Sequence, residues 1–495
     1  MRKMQADVIV VAAGPAGLAA AITAGEYGRK ALVFEKTTVT GGAANMGMGP
    51  LGIDTRVQKS CFNDITAEYA LAKHMEYTHY CADAGLVSAY FHKSAETISW
   101  LEEMGVKFAG AFRYSRDSEA TWHIVQPEDG QIGPRCASAM VKCMTKRALE
   151  LGAQICYSTP VDDLIVEDGT VVGVYAHDET GEKIEARGQA VVVCTGGFGS
   201  NAEMVREECG LELGKDIISF MIPGIMGDGL KMMWKAGAQK FGANFERIYL
   251  CKDQLNHMTL DIMFRQGDLM VNLDGERFMN EDDAGNTTFG GNAIAMQPRR
   301  VAVSIIDGDI ARRHQRDGLP HVSLVEPEFL VQAFDAAVQD ALDNGYEDFY
   351  KADTVEELAE QIGIPAETLR STIEAYNACC ASGVDKEFGK ASKYLNPVTG
   401  KGGYMALKYY TGAYGTVGGV RVNKRCEVLD QDSKPIPGLY SAGSDANTIY
   451  ADSYNFKLPG NTMGFAINSG RMAGEAMCAY LDELGVGEID YDEYE

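Results

Sequence analysis

Residues 6–36 read ADVIVVAAGPAGLAAAITAGEYGRKALVFEK. Asp7–Val11 is a short apolar run, too β-branched for a helix start, and reads as a buried strand. Ala12, Ala13, Gly14, Pro15, Ala16 and Gly17 make a turn, Leu18 to Glu26 an alanine-rich helix, and Ala31–Phe34 a second strand ending in Glu35. Strand, glycine turn, helix, strand and acid in this order are the pattern of a dinucleotide-binding βαβ unit.

Each part has a physical task. Gly14 lets the backbone approach a pyrophosphate, and Gly17 lets the helix pack tightly on the sheet. The free amides and positive dipole end of the helix hold phosphate charge. Glu35 is placed to accept both hydroxyls of an adenosine ribose and disfavours a 2′-phosphate, which argues against NADP. One position departs from G-x-G-x-x-G: its first glycine is Ala12, whose methyl group crowds the turn without blocking it.

The chain has 495 residues, more than one hydrophobic core usually covers, so two lobes are expected. Lys and Arg total 45 against 70 Asp and Glu, a net charge of −25. That field repels phosphate backbones and anionic membranes, so neither nucleic acid nor a membrane is expected as a partner. The 12 cysteines form no C-x-x-C and no Cys/His spacing for a metal, haem or cluster, and no metal site is expected. Scattered thiols, the lack of a leader-like start and the lack of a long apolar stretch predict a cytoplasmic protein.

Beyond Glu35–Lys36 the chain continues TTVTGGAANMGMGPLG, and further segments read AVVVCTGGFGSN at 190–201, GDGLKMMWKAGA at 227–238, VNLDGERFMNE at 271–281 and, between 438 and 475, GLYSAGS followed by GNTMGFAINSGRMAGE. With these motifs the chain resembles the FAD-binding family of fumarate reductase and succinate dehydrogenase flavoprotein subunits, over nearly its whole length. The resemblance implies an α/β fold. A Rossmann-like FAD domain would be built from residues 1–240 and 412–495, with an inserted α+β capping domain at 241–411. Residues 325–381 read as two or more amphipathic helices within that cap.

The resemblance also implies FAD contacts. In the first part of the chain they are Ala12, Gly14, Pro15, Ala16, Gly17, Glu35, Lys36, Gly41, Gly42, Ala43, Ala44, Met46 and Gly47. Further on they are Val161, Thr195, Gly196, Gly197, Asp228, Gly443, Ser444, Asp445, Asn461, Thr462 and Met463. Covalent attachment in the family uses a histidine in the loop after the E-K pair; residues 37–60 contain none, so FAD is expected to be non-covalent.

The substrate positions depart from the family. An acid arginine is expected near Gly285 and is absent. H-H-T-x-G-G reads Tyr414–Gly415–Thr416–Val417–Gly418–Gly419, and N-R-L-G-G-N reads Phe456–Lys457–Leu458–Pro459–Gly460–Asn461. Lysine keeps a charge but loses the planar two-point grip on a carboxylate, so fumarate is disfavoured. Tyrosines crowd the same segments: Tyr409, Tyr410, Tyr414, Tyr450 and Tyr454. Phenols suit a flat, uncharged, hydroxylated or carbonyl substrate.

Candidate catalytic residues are Tyr414, Tyr454, Lys457, His257 and Arg265, with Tyr414 the first choice as proton donor. The expected chemistry is hydride delivery from flavin N5 to an aromatic or cyclic substrate. Two forms fit: reduction of an activated C=C bond, or reductive dehydroxylation of an isoflavonoid through a quinone methide, as in tetrahydrodaidzein reductases of this family. Fumarate-type or ketosteroid turnover and a non-catalytic electron carrier are the alternatives. Only one dinucleotide fingerprint is visible, so electrons come from an external donor: a redox protein, a reduced flavin or NAD(P)H.

Overall fold

The computed structural model describes residues 1–322, 325 and 328–485. Val8–Val11 is a fully buried strand inside a six-stranded sheet. The order across the sheet is Glu427–Leu429, Pro435–Ser441, Ala190–Val193, Val8–Val11, Ala31–Phe34, Gln154–Cys156. Every pairing from Pro435–Ser441 to Gln154–Cys156 is parallel. Their carboxyl ends therefore share one edge, where open α/β sheets bind ligands. The near-continuous Val, Ile and Leu of these strands suit a sheet covered on both faces.

Helix Pro15–Glu26 packs against the sheet and against the long carboxy-terminal helix Asn461–Glu483. The turn between Val8–Val11 and this helix is left-handed at Ala12, with φ 80°. An L-residue there is strained by about 1–2 kcal/mol. The methyl group is tolerated, as expected, but its backbone conformation is the one glycine usually supplies.

A second sheet is organised around the long strand Tyr404–Val420. Its first part pairs antiparallel with Val301–Asp307 and Phe349–Ala352, and its second part with Lys240–Leu250. The hydrophobic residues divide along these same strands. Phe245, Ile248, Ala413 and Val417 belong to the core of the six-stranded sheet. Tyr249, Cys251, Leu407 and Tyr409 belong to a second core with Val271, Ile305, Phe334, Leu358 and Tyr376. The expected boundaries at 241 and 411 fall inside these two paired strands.

The second core is covered by the helices Phe334–Asp343, Val355–Ile362 and Ala366–Ser382. Residues 326 and 327 of the expected helical stretch, and residues 486–495 of the expected flavin-domain segment, lie outside the described residues. The 271–281 motif is structural here. Arg277 donates to both Glu281 oxygens at 2.7 and 2.8 Å and to Asp385 at 2.8 Å, and Lys390 lies 3.4 Å from Glu281, all buried. Among the described residues no helix is long and apolar enough to cross a membrane.

Candidate active site

A cavity of about 390 Å³ lies along the carboxyl ends of the parallel strands and reaches residues of the second core. Its walls at the sheet come from the loop after each strand. Val8–Val11 leads to Ala12, Gly14, Pro15 and Ala16; Ala31–Phe34 leads to Glu35 and Lys36. Ala190–Val193 leads to Thr195 and Gly196, and Pro435–Ser441 to Gly443 and Ser444. Gly42, Ala43, Ala44, Met46, Gly47, Val161, Asp228, Thr462 and Met463 complete this part of the lining.

Five residues expected at the cofactor are not in the lining. Gly17 packs beneath the turn, Gly41 donates its amide to the Ala13 carbonyl at 2.8 Å, and Gly197 and Asp445 hold each other. Buried Asp445 accepts from the Gly197 amide at 2.8 Å and from the Thr195 hydroxyl at 2.8 Å, which ties two lining loops together. Asn461 is fully buried at the start of the carboxy-terminal helix, between the lining residues Gly460 and Thr462.

These residues fit an adenine dinucleotide. Helix Pro15–Glu26 has no side-chain cap, and a β-carbon on its N-cap, Gly14, would meet nothing within 4 Å. Its first amides thus open onto the cavity, the arrangement that binds a phosphate. Glu35 is braced by the Ala13 amide and by the amide and hydroxyl of Thr37, each at 2.8 Å. The carbonyl and amide ends of the Asn461 side chain are buried with no partner, a deficit that a bound polar group relieves.

The rest of the lining is largely aromatic: Tyr114, Trp122, Phe220, Tyr414, Tyr454 and Phe456. Tyr414 stacks on Phe220 at 5.1 Å between centroids, and Phe456 lies 4.5 Å from Tyr114 and 4.6 Å from Tyr454. The Tyr454 hydroxyl accepts the Asn461 amide at 3.2 Å, and burial drives its acidity far below that of a free phenol. Between residues 249 and 287 the chain adds Tyr249, Gln254, Leu255, Met258, Arg265 and Thr287 to the lining.

Arg265 lines the cavity but is already engaged. Its Nε faces both oxygens of Asp261 at 2.8 and 2.9 Å, one terminal nitrogen donates to the Tyr249 carbonyl, and the other lies 3.3 Å from the Thr287 hydroxyl. Lys457 and His257 do not line the cavity. Lys457 is exposed, and His257 stacks on Tyr346 at 3.7 Å. Tyr409, Tyr410 and Tyr450 are also outside the lining; the first two donate to the Asp261 carbonyl and to Asp348. At Gly285 a β-carbon would stand 2.7 Å from the His321 ring. Imidazole fills the place where the family resemblance set an arginine.

One acidic lining residue stands outside the positions the sequence marks: Glu246, in strand Lys240–Leu250. It is 4% exposed, and burial pushes its carboxyl up to about 7 against the effect of the Thr462 hydroxyl that donates to it. The only signal in the sequence is a lone acid beside the aromatic and aliphatic residues of NFERIYL.

The family model for an FAD binding domain matches residues 7–462. The chain belongs to this FAD-binding family. It is an FAD-dependent oxidoreductase with fumarate-reductase-like relatives. It is 31% identical to a vinyl phenol reductase of Lactiplantibacillus plantarum, over 97% of this chain and 98% of that protein. Among solved structures it resembles the open conformation of a flavocytochrome c3 fumarate reductase, with TM-score 0.72 and 26% identity over 96% of this chain and 78% of that one. It also resembles a 3-ketosteroid-Δ4-(5α)-dehydrogenase from Rhodococcus jostii RHA1, with TM-score 0.75 and 25% identity over 97% and 98% of the two chains. The Rossmann-like family fold read from residues 6–36 is therefore the fold observed.

Proposed function

We propose that this protein reduces an activated C=C bond in a small, uncharged phenol. The observation that carries the reading is the substrate end of the cavity. It is walled by aromatic rings, and Arg265, the one guanidinium in the lining among the described residues, is held by Asp261, Tyr249 and Thr287. A dicarboxylate entering this space would lose its hydration without gaining a cationic partner, at a cost of several kcal/mol. A flat phenol gains ring contacts of about 0.5–1.5 kcal/mol each and hydrogen bonds to the tyrosine hydroxyls. The likeness to the vinyl phenol reductase points the same way.

The Ala12–Gly17 turn and Glu35 hold the adenosine diphosphate portion of FAD, and Thr462 and Met463 lie at the start of a helix with no side-chain cap, suited to favouring negative charge. When bound and reduced by a separate electron donor, FAD would supply a hydride to substrate carbon. Tyr454 stays protonated in its buried site and Tyr414 stacks at the exposed side; both are hydrogen-bond partners for the substrate's oxygen. A para-vinyl phenol is activated by its own ring. Loss of the phenol proton with protonation of the outer vinyl carbon gives a quinone methide, whose benzylic carbon accepts hydride. Expulsion of a benzylic hydroxyl reaches the same type of electrophile, so dehydroxylation of an isoflavonoid such as tetrahydrodaidzein demands the same groups. The likeness to the ketosteroid dehydrogenase favours a second reading, a cyclic enone.

We also infer that FAD is dissociable, because among the described residues none of the lining side chains is a histidine. Acid precipitation should leave the flavin in the supernatant; yellow pellets would refute this. For the substrate, the test is anaerobic mixing of reduced holoenzyme with 4-vinylphenol, styrene, tetrahydrodaidzein, a Δ4-ketosteroid and fumarate. Rapid flavin reoxidation by 4-vinylphenol, with none by fumarate or styrene, is expected. Fumarate as the fastest oxidant would end the proposal.

A further inference from the structure

We propose that the carboxyl group of Glu246 is the acid that protonates the substrate in this reaction, a step that rests on the phenol-reductase reading. Strand Lys240–Leu250 pairs Phe245 with Thr416 and Arg247 with Ala413, so the register slips at Glu246 and leaves Tyr414 and Gly415 opposite it. Such irregularities re-aim a side chain and are common beside active sites. The Glu246 Oε2 atom lies beside Gly415, where even a β-carbon would stand 4.0 Å away, and both residues line the cavity. Glycine at this point leaves the face of the carboxyl toward the cavity unscreened.

The other lining carboxyls are differently placed. Glu35 is braced by Ala13 and Thr37, and Asp228 pairs with Lys36 at 2.6 Å. Glu246 has the Thr462 hydroxyl as its hydrogen-bond partner and, among the described residues, no Lys, Arg or His paired with it. The titratable groups facing it are phenols: Tyr450 and Tyr454 from the segment before the carboxy-terminal helix and Tyr414 from the paired strand. Burial holds Tyr450 and Tyr454 protonated. Burial likewise raises the Glu246 carboxyl to about 7, which leaves a large protonated fraction at neutral pH.

Glu246 gives its proton to the outer vinyl carbon as the phenol releases its own proton to solvent water. The benzylic carbon would take the hydride that reduced FAD supplies when bound, which restores the aromatic ring as phenolate, and the phenolate regains a proton from water. The C=C bond gains two electrons and two hydrogens, the flavin is oxidised, and the Glu246 carboxylate is reprotonated from water.

The test compares wild-type holoenzyme with Glu246→Gln and Glu246→Asp, each first shown to carry flavin. Gln retains an oxygen for the Thr462 hydroxyl but has no acid proton. With 4-vinylphenol, E246Q should reoxidise about 100-fold more slowly or worse, while 4-ethylphenol binding changes by less than about threefold. E246D should recover part of the rate. The wild-type rate should fall as pH rises above about 7, and the residual E246Q rate should not. An infrared band of protonated carboxyl titrating near pH 7 in wild type and missing from E246Q is the readout independent of turnover. A wild-type rate and pH profile in E246Q, or a Glu246 already ionised at pH 6, would overturn the assignment. If 4-vinylphenol fails to reoxidise wild-type flavin, the substrate reading falls, and the infrared titration then decides whether Glu246 is a neutral-pH acid.

Discussion

Gly17 sits directly against the carbonyl of Ala12: a β-carbon at position 17 would stand 2.0 Å from that oxygen. The two residues close the turn before helix Pro15–Glu26 between them, Ala12 by its left-handed φ of 80° and Gly17 by having no side chain. Gly17→Ala must push the helix off the turn, a strain of about 1–3 kcal/mol, and should yield protein with little bound flavin. Ala12→Gly should stay within about 1 kcal/mol of wild type, because relief of the left-handed strain is offset by about 0.5–1 kcal/mol of backbone entropy. Thermal melts and flavin content per chain check both; a fully yellow G17A protein contradicts the packing argument.

Glu246 should also make stability depend on pH. Its folded carboxyl is raised to about 7 from 4.5, so its contribution is whole below about pH 4.5 and lost as pH climbs through 7. Glu246→Gln removes that loss. The variant should match wild type near pH 4.5 and exceed it by about 3 kcal/mol above pH 7, an order-of-magnitude figure from the size of the shift. Denaturant unfolding at pH 5 and pH 8 measures the difference. A gap that widens toward acid pH has the wrong sign and refutes it.

Arg277 is predicted to matter for folding rather than turnover. Replacing it with Met leaves Glu281 and Asp385 buried without their cation, with only Lys390 near Glu281. Loss of about 3–5 kcal/mol is expected. At low temperature the surviving folded fraction should keep its flavin spectrum and its KM. A large change in KM at unchanged stability would place Arg277 at the substrate instead.

Lys457→Met should change kcat/KM for 4-vinylphenol by less than about twofold, since an exposed side chain outside the cavity has no route to transition-state binding. A drop of tenfold or more, about 1.4 kcal/mol, would show that Lys457 swings into the site during turnover.

Much of the proposed nucleotide site is legible because its determinants are contiguous. Val8–Val11, Gly14, Gly17 and Glu35 stand at spacings set by one strand, one turn and one helix, so local conformation carries the information. The same holds for the loops at Thr195–Gly196 and Gly443–Ser444, each of which follows a parallel strand. Lys457 and His257 stand at or beside motif positions, and motif position says nothing about which way a side chain turns. Glu246 went unseen for the opposite reason: its chemistry comes from burial and from the lack of a cation, and neither is written in NFERIYL.

From the order of residues alone come the βαβ unit, the FAD family and the missing arginine near Gly285. The substrate end is another matter. Tyr114, Trp122, Phe220, Glu246 and Tyr454 are far apart along the chain and meet only when the core of the six-stranded sheet assembles. Whether a charge there is paired, as at Arg265, or a carboxyl keeps its proton, as at Glu246, depends on the dielectric and the neighbours that folding assembles, and no short-range pattern encodes those.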